Sequence, residues 1–295
     1  MGFFAKLLGG NKTPDGRLPL GELVRRLKTD ESALAALRVH YSPMQIPKRS
    51  GGLRQLHVPD KALADLQRTI LHRLLAKLPV HPAATAFGKG KSVVTNAGPH
   101  CRKPLIIKLD VMDFFGTTTA ARVEDYFRTI GWNRQAAKRL TELTTLNGGL
   151  PQGAPTSPAL SNLVNYQMDV RMAALAQKAG AAYTRYADDI TFSFGESATR
   201  QMAALVIFRA RKTLMDFGYR MHRGRKLRMV RSHQQQIVTG LVVNQKPNLS
   251  RKTRRWLRAV EHHVAKGKEA TLTPQQLAGW QALRKMIHQQ TTAGK

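Results

Sequence analysis

The stretch YTRYADDITFSF, residues 183–194, decides the fold of this chain, because two adjacent aspartates lie between two runs with strand character. Both runs mix β-branched and aromatic residues with alternating polarity, which is typical of β-strands. An Asp–Asp pair is unfavourable inside a strand and favourable in a tight turn, so a β-hairpin is predicted with Asp188 and Asp189 at its tip. Two neighbouring ionised carboxylates repel each other. They stay charged together at low cost when a divalent metal ion lies between them.

A second acidic position follows a predicted strand earlier in the chain. LIIKL, residues 105–109, is a short, mostly apolar run that predicts a buried central strand, with Asp110 and Asp113 just past it. If this strand lies beside the hairpin, Asp110 and Asp188 converge. Mg²⁺ takes one or two carboxylates together with waters and substrate phosphates. Two such ions about 3.5–4 Å apart can activate an attacking hydroxyl and stabilise a leaving pyrophosphate, so the pattern indicates a nucleotidyl transferase.

Neither acidic motif is specific when it is taken alone. An Asp–Asp pair in a turn is more often a solvated loop, and an aspartate after a strand is more often a helix cap. A third segment, LPQGAPTSP at residues 150–158, shifts the balance. Its prolines exclude regular helix and central strand, so it predicts a stiff loop that exposes the Gln152 side chain. Ser157 then caps a predicted helix that begins at Pro158 and runs toward Gly180.

The order of these motifs resembles that of the bacterial retron-type reverse transcriptases. LDVMDFF (109–115), LPQGAPTSP and YADD (186–189) are similar to motifs A, B and C of right-hand reverse transcriptases, and YxDD together with LPQG is highly specific. NAGPH (96–100) and VTG (238–240) resemble two elements of the retron group. The resemblance implies an α+β right-hand polymerase fold. Its parts would be fingers, a palm made of an antiparallel sheet and helices, and a short helical thumb.

The resemblance also implies the reaction and its partners. The protein is expected to be an RNA-directed DNA polymerase that uses two Mg²⁺ ions and deoxynucleoside triphosphates. A structured noncoding RNA would serve as template and primer, and the product would be multicopy single-stranded DNA. Such systems often act with an effector protein in defence against phage. The expected catalytic and metal-binding residues are Asp110, Asp188 and Asp189.

Four further residues are expected to hold the incoming nucleotide. A predicted basic hairpin with Gly-Gly at its turn resembles the fingers hairpin whose cations grip the triphosphate, and Lys48 and Arg54 are the matching cations. Phe115 matches the aromatic residue that packs under the sugar and excludes a 2′-hydroxyl. Gln152 matches the residue that contacts the sugar from the other side. Relatives commonly have Pro after the Phe pair, whereas Gly116 is expected to leave the backbone freer here.

The segment GYRMHRGRK, residues 218–226, corresponds to motif D. Relatives usually have an Asn there, followed by a Lys that is a candidate proton donor to the leaving pyrophosphate. His222 replaces the Asn, and spacing alone leaves Arg225 and Lys226 as candidates for the Lys. Because an arginine cannot readily give up a proton, Lys226 is the expected general acid.

RNA binding is expected from two groups of residues. Asn96 and His100 of NAGPH and Thr239 of VTG are carried over from the resemblance, with a template or a scaffold role. Without the resemblance, an Asn and a His so spaced are often only a helix cap and a surface imidazole. The second group follows Ser250 on a predicted helix and comprises Arg251, Arg254, Arg255 and Arg258.

The cationic helix belongs to the last of three predicted parts of the chain. Residues 1–40 are expected to form an N-terminal helical extension, residues 41–240 the fingers and palm, and residues 241–295 an RNA-binding thumb. A charged helix face is usually only solvated. An almost purely cationic face, with Glu261 as the nearby acid, favours RNA or a hybrid duplex along the helix.

Composition agrees with a nucleic-acid partner. The chain has 48 Lys and Arg against 18 Asp and Glu, a net charge of +30 that favours polyanions, although ribosomal, nucleoid and membrane-surface proteins share this trait. The apolar fraction of 42% suffices for a real core. Cys101 is the one cysteine, which excludes a disulfide framework and fits a cytoplasmic location. No apolar run approaches the ~20 residues of a membrane helix, so no membrane partner is expected.

Three alternatives stay open at this point. A group II intron reverse transcriptase would carry a maturase domain beyond VTG and often an endonuclease. A diversity-generating or unclassified defence reverse transcriptase would share the acids, but not necessarily Asn96, His100 and Thr239. A non-catalytic RNA-binding scaffold has no need of three clustered carboxylates that repel one another. A short noncoding RNA gene beside the reading frame would favour the retron.

Overall fold

The computed structural model describes residues 16–47, 51–196, 198–222, 227–267, 269 and 271–292. Within these ranges the helices, in chain order, are α1 (Leu20–Leu27), α2 (Glu31–Ala36), α3 (Lys61–Ile70), α4 (Val93–Ala97), α5 (Ala120–Thr129), α6 (Arg134–Thr144), α7 (Ser157–Val164), α8 (Tyr166–Lys178), α9 (Arg200–Asp216), α10 (Arg251–Ala265) and α11 (Pro274–Thr292). A π-helical turn continues α3 (Leu71–Leu75), and a 3₁₀ turn follows α4 (Gly98–His100). The strands are β1 (Tyr41–Pro47), β2 (Leu53–Pro59), β3 (Leu105–Asp110), β4 (Ala181–Tyr186), β5 (Asp189–Phe194), β6 (Arg228–Arg231), β7 (Ile237–Val238) and β8 (Leu241–Val242). Every pairing between these strands is antiparallel, so the predicted α+β class is confirmed.

The described residues group into two compact units, each assembled from separate stretches of chain. The first unit takes the described residues of 1–82, 111–170 and 214–220. The second unit takes those of 83–110, 171–213 and 221–295. The two units alternate along the chain and have no boundary at residue 40 or 240. The division into three parts therefore stays a prediction.

A helical core fills the first unit. Leu23 of α1, Leu63 of α3, Phe127 of α5 and Leu140 of α6 are fully buried in one apolar cluster. The Asp60 side chain caps the N-terminus of α3, because its Oδ1 accepts a hydrogen bond from the backbone N–H of Leu63 at 2.8 Å. Such a cap stabilises a helix by about 1 kcal/mol. The first unit is therefore held together by helix packing.

A mostly exposed β-hairpin, β1 and β2, also belongs to the first unit. The strands pair as far as Pro47 opposite Leu53, just before the turn. Gly51 and Gly52 have φ values of 85° and 78°, which glycine adopts at low cost. The basic hairpin predicted from the Gly-Gly pair is confirmed, and its first strand begins earlier than expected, at Tyr41.

The helix predicted after the LPQG loop is interrupted at Asn165, so α7 and α8 are separate helices. Asn165 is fully buried, and its side-chain amide donates to the Ser161 carbonyl and to the Tyr219 hydroxyl, each at 2.8 Å. Arg122 donates to the Asn165 Oδ1 at 2.7 Å. A side chain that bonds to the carbonyl four residues earlier competes with the regular helical bond. Ser157, predicted as the cap, is the first residue of α7.

A four-stranded antiparallel sheet lies in the second unit, with the strand order β4-β5-β3-β6. β3 pairs with β5 along its whole length and is the buried inner strand that the sequence predicts. Tyr186 of β4 pairs with Asp189 of β5, so Ala187 and Asp188 form a two-residue turn. The predicted hairpin is therefore confirmed, except that Asp189 begins β5 and does not lie in the turn.

A smaller apolar core joins the C-terminal helices to the rest of the second unit. Val94, Ile106, Val238, Leu257 and Ile287 are buried together in this cluster. The residues come from α4, β3, β7, α10 and α11, so the chain after VTG is packed on the elements before it. None of the described helices is both long enough and apolar enough to cross a membrane.

The close approach of Gly149 to Gly116 generates a stability prediction. A Cβ added at Gly149 would collide with the Gly116 carbonyl oxygen, a backbone atom that cannot swing aside. We expect Gly149→Ala to lower the free energy of unfolding by about 1–3 kcal/mol, the usual cost of overpacking. Urea denaturation with the purified variant measures this change.

Gly21 in α1 supplies the matched control. A Cβ at Gly21 would meet nothing within 4 Å, so Gly21→Ala is expected to stabilise the protein by up to about 1 kcal/mol through helix propensity. If the Gly149→Ala protein were as stable as the wild type, the chain segments around Gly116 and Gly149 would separate at little cost, and the prediction would be wrong.

Candidate active site

The three predicted acids meet at one end of the sheet in the second unit. Asp110 is the last residue of β3 and Asp189 the first residue of β5, and the two are directly paired across the strands. Directly opposed residues point to the same face of a sheet, with Cβ atoms about 4.5–5.5 Å apart. Asp188 precedes Asp189 in the turn, and all three side chains are half-buried. The fold therefore gathers the carboxylates that the sequence singled out.

The turn that carries Asp188 contains a strained residue. Ala187 has a φ of 57°, a conformation that costs a non-glycine residue roughly 1–2 kcal/mol. Arg185, fully buried in β4, donates from Nη1 to the Ala187 carbonyl at 3.3 Å. Sequence reasoning missed this arginine, because a cation within a strand resembles a solvent-facing residue until the packing is known.

His222 is one partner of Asp110. Its Nε2 lies 3.3 Å from Asp110 Oδ2, and its backbone N–H donates to the Asp110 carbonyl at 2.8 Å. The histidine that replaces the family's Asn is thus fixed at the end of β3. Arg225 and Lys226, the candidates for the proton donor, lie outside the described residues.

The acids offer oxygen donors that fit a hard divalent cation. Mg²⁺ usually takes one or two carboxylates and completes its shell with water and phosphate oxygens. Among the described residues, no group of three or more His, Cys, Asp or Glu side chains is placed so that it could hold a metal ion by itself. An open site with few protein ligands suits a metal that is held jointly with a substrate.

The Phe pair after β3 lies in a hydrogen-bonded loop of the first unit. The Phe115 carbonyl accepts hydrogen bonds from the N–H groups of Thr118 at 3.0 Å and Leu150 at 3.2 Å. A Cβ on Gly116 would meet the Asp113 carboxylate, which is the end of an exposed side chain and can swing aside. The loop is hydrogen-bonded on both sides of Gly116, since the Thr117 N–H donates to the Asp113 carbonyl at 2.9 Å, and the freer backbone expected there stays a prediction.

The LPQG loop docks on strand β2, also in the first unit. The Gln152 carbonyl accepts from the His57 N–H at 2.8 Å. Gly153 has a φ of 124°, and a Cβ there would lie 2.8 Å from the His57 carbonyl oxygen, so this position requires glycine. The Gln152 side chain is half-buried, and Arg54 on β2 is exposed. Lys48, the other expected triphosphate ligand, lies outside the described residues.

The NAGPH and VTG elements contact each other within the second unit. Asn96 is only 1% exposed; its Oδ1 accepts from Thr85 Oγ1 at 2.6 Å, and its Nδ2 donates to Thr239 Oγ1 at 3.3 Å. Thr239 in turn donates to the Val93 carbonyl at 3.2 Å. A side chain so buried cannot contact RNA in this conformation. The RNA-binding expectation for Asn96 is therefore corrected to the scaffold alternative.

His100 is fully buried against two neighbouring strands of the sheet. Its Nδ1 lies 2.7 Å from Ser193 Oγ on β5, and its Nε2 lies 2.7 Å from Thr184 Oγ1 on β4. Burial lowers the pKa of His100 to about 4, so the imidazole is neutral near pH 7. The ring ties β4 to β5, and the RNA-binding expectation for His100 is likewise corrected, because no part of its surface is exposed.

Helix α10 presents its cations to solvent. Leu257 is buried, and Trp256 packs edge-to-face on Trp280 of α11 with ring centroids 5.8 Å apart. Glu261 is paired with Arg284 of α11 at 2.8 Å, which lowers the pKa of the Glu261 carboxyl. Within the described ranges, four exposed arginines of α10 have no acidic partner: Arg251, Arg254, Arg255 and Arg258.

Comparison with known proteins assigns the chain to a family. The reverse transcriptase (RNA-dependent DNA polymerase) family matches residues 46–235, which is more than half of the 295-residue chain. The matched range includes all three acids of the sheet and the LPQG loop. The chain therefore belongs to the reverse transcriptase family.

Individual relatives narrow the assignment. The retron Mx65 reverse transcriptase of Myxococcus xanthus is 38% identical over 268 residues, covering 84% of this chain and 62% of the relative. The retron Mx162 reverse transcriptase of the same species is 35% identical, with coverages of 78% and 53%. The retron Ec86 reverse transcriptase of Escherichia coli is 33% identical, with coverages of 77% and 70%. The matched regions span less than two thirds of the M. xanthus relatives. Within the family, the chain belongs with the retron-type reverse transcriptases.

The buried His100 generates a pH prediction. Its native pKa is about 4, whereas an ordinary histidine titrates near 6.5. Between these values the unfolded chain binds a proton that the native protein does not bind, so stability falls as the pH is lowered through this window. We expect this residue to remove about 2 kcal/mol of stability between about pH 7 and pH 5.

The variant His100→Gln isolates this contribution from that of the other histidines. Glutamine offers amide groups to the same two hydroxyls and does not titrate. Urea unfolding at both pH values should therefore show a smaller decline in the variant than in the wild type. Equal declines would mean that His100 is charged in the native protein.

Proposed function

We propose that the protein is the RNA-directed DNA polymerase of a retron, which copies a structured noncoding RNA into multicopy single-stranded DNA. The observation that carries the proposal is the pairing of Asp110 with Asp189 beside Asp188, in a chain that belongs to the reverse transcriptase family. Like charges directly opposed in a sheet are destabilising. A protein that only binds RNA gains nothing from such a pair, which favours catalysis over a scaffold function.

The three acids have distinct proposed roles. Asp110 and Asp188 would hold two Mg²⁺ ions, with Asp189 adding negative charge beside them. When bound, the ions would favour deprotonation of the primer hydroxyl and neutralise charge on the triphosphate. The β3–β5 register fixes Asp110 against Asp189, and the N–H of His222 holds the end of β3. Lys226 is the proposed proton donor to pyrophosphate.

The reaction joins the primer hydroxyl oxygen to the α-phosphorus of a deoxynucleoside triphosphate and breaks the bond to pyrophosphate. Lys48 and Arg54 would bind the triphosphate, and Phe115 and Gln152 would flank the sugar. A ring that excludes a 2′-hydroxyl must be held still. The hydrogen-bonded loop that carries Phe115 supports this requirement.

RNA recognition is proposed for the exposed face of α10. Its four arginines and the net charge of +30 favour a polyanion, and the buried Leu257 keeps the opposite face packed. By family resemblance, the primer would be the 2′-hydroxyl of an internal guanosine of the noncoding RNA. An effector protein and a role in defence against phage are proposed on the same ground.

The substitution Asp188→Asn tests the polymerase proposal. It keeps the shape of the side chain and removes the charge that a metal ion needs. Metal ions supply several kcal/mol of transition-state stabilisation, so primer extension on an RNA template should fall by roughly a hundredfold to a thousandfold or more. RNA affinity, measured by fluorescence anisotropy, should stay nearly unchanged.

The control is Asp125→Asn, which removes an exposed carboxylate from α5 and should leave extension unchanged. Nucleic acid recovered with the wild-type protein from cells tests the retron assignment. We expect DNA joined covalently to RNA with the wild type, and RNA alone with Asp188→Asn. Undiminished extension by Asp188→Asn would refute the metal assignment. Recovery of DNA that is not covalently joined to RNA would favour another bacterial reverse transcriptase.

The α10 surface generates a salt-dependence prediction. Replacing Arg254, Arg255 and Arg258 by Gln should weaken binding of a fluorescent RNA hairpin. Each lost phosphate contact removes roughly 0.7–0.9 from the slope of log affinity against log salt, so the slope of the triple variant should fall by roughly 2.1–2.7. Titration at several salt concentrations measures both quantities.

A matched loss of three charges on another helix separates α10 from general electrostatics. Arg209, Arg211 and Lys212 are exposed on α9, and their replacement by Gln changes the net charge equally. The α9 variant should keep most of the wild-type affinity. If the two triple variants weakened RNA binding equally, the arginines of α10 would form an ordinary solvated face and not an RNA-binding surface.

A further inference from the structure

Tyr219 lies in a buried polar cluster of the first unit. Only 1% of its surface is exposed. Its hydroxyl lies 2.6 Å from Thr118 Oγ1 and 2.8 Å from Asn165 Nδ2, and both of these residues are fully buried. Segments that are far apart in the sequence thus meet at one phenol hydroxyl.

Counting protons gives the direction of each hydrogen bond in this cluster. Thr118 has one hydroxyl proton and donates it to the Phe114 carbonyl at 2.8 Å. Its oxygen therefore accepts from Tyr219, which leaves the Tyr219 oxygen to accept from the Asn165 amide. Asn165 Oδ1 accepts from Arg122 Nη2 at 2.7 Å. A directed chain runs from Arg122 to the Phe114 backbone, and a satisfied buried network of this kind is rigid.

The ring of Tyr219 also holds the side chain of Phe114. The two rings are stacked, with centroids 5.5 Å apart and an interplanar angle of 26°. Phe114 meets Phe115 edge-to-face, with centroids 5.6 Å apart and an angle of 68°. The Arg122 guanidinium lies 4.9 Å from the centroid of the Tyr219 ring and adds a cation–π contact. Phe115 itself is half-buried and keeps exposed surface.

We propose that Tyr219 is a positioning residue that sets the selectivity for deoxynucleotides over ribonucleotides. It fixes Phe114 through both the ring and the backbone, and Phe114 fixes the ring of Phe115. The inference rests on the proposed function, in which the Phe115 ring excludes a 2′-hydroxyl. The Phe115 ring can exclude the hydroxyl only if its position is fixed to within about 0.5 Å. The rigid network fixes the ring in this way without touching the nucleotide.

A residue that matters only for stability would not change this selectivity. Loss of folded protein lowers the rates with both nucleotides equally and leaves their ratio unchanged. The chain also supplies a matched control tyrosine in the first unit. The Tyr126 hydroxyl is buried and has no hydrogen-bond partner among the described residues, so Tyr126→Phe breaks no such network.

The test is single-nucleotide insertion by the full-length protein on an RNA template with a primer. It compares kcat/KM for a deoxynucleotide and the matching ribonucleotide. Tyr219→Phe should lower the ratio by about fivefold, the rate equivalent of one net hydrogen bond, mainly through faster ribonucleotide insertion. Phe115→Ala should lower it further, and Tyr126→Phe should leave it unchanged. Tyr219→Phe added to Phe115→Ala should have no further effect, because both act through one ring.

The outcomes separate this inference from the function on which it rests. If Phe115→Ala removes the selectivity and Tyr219→Phe does not, the positioning role alone is overturned. If Phe115→Ala leaves the selectivity intact, the proposed sugar contact is wrong, and the role of Tyr219 falls with it. Should Tyr219→Phe fail to fold, Thr118→Val breaks the same chain and Thr118→Ser preserves it. The ratio should then fall with Val and be retained with Ser, and equal ratios would overturn the proposal.

Discussion

The β3–β5 register is the constraint on which the site depends, because it places two negative charges opposite each other. One face of these paired strands is apolar and consists of Leu105↔Phe194, Ile107↔Phe192 and Leu109↔Ile190. Burying each such side chain contributes about 1.5–3 kcal/mol, whereas a cross-strand charge pair changes stability by roughly 1 kcal/mol. A slip by one residue would turn the apolar set to the other face. The burial of the apolar side chains therefore decides the register. This register places Asp110 opposite Asp189 even though the two charges repel each other.

The opposite face of the sheet has a different organisation. It carries Thr184 and Ser193 on β4 and β5, the two strands that His100 links with its ring nitrogens. The imidazole does this only while it is neutral, and burial keeps its pKa low enough for that near pH 7. Asn96, four residues earlier, links the same short segment to Thr239. Polar side chains thus link the two strands that flank the Asp188 turn, away from the acids themselves, and these residues support the site without facing a ligand.

The sequence predicted those features whose cause is local or is recorded in a motif. The acid-tipped hairpin, the inner strand β3 and the Gly-Gly hairpin follow from alternation, turn residues and apolar runs, and all are found. The contacts between residues that are far apart in the sequence could not be predicted. His100 bonds residues 84 and 93 positions away, and Tyr219 bonds one 101 positions away, so nothing local distinguishes them from surface groups. The break at Asn165 has the same origin, because the buried partners of its side chain come from other segments.

The turn between β4 and β5 shows why this Asp–Asp pair differs from a solvated loop. A hairpin with positive φ at the first central residue usually has glycine there, and this chain has Ala187 instead. Glycine would relieve the strain, but it would also widen the range of backbone conformations open to the turn. The buried Arg185 donates to the Ala187 carbonyl and so holds the strained peptide in place. A loop that only connects two strands gains nothing from such rigidity. A turn that must present the Asp188 carboxylate in one orientation, before any substrate arrives, does gain from it.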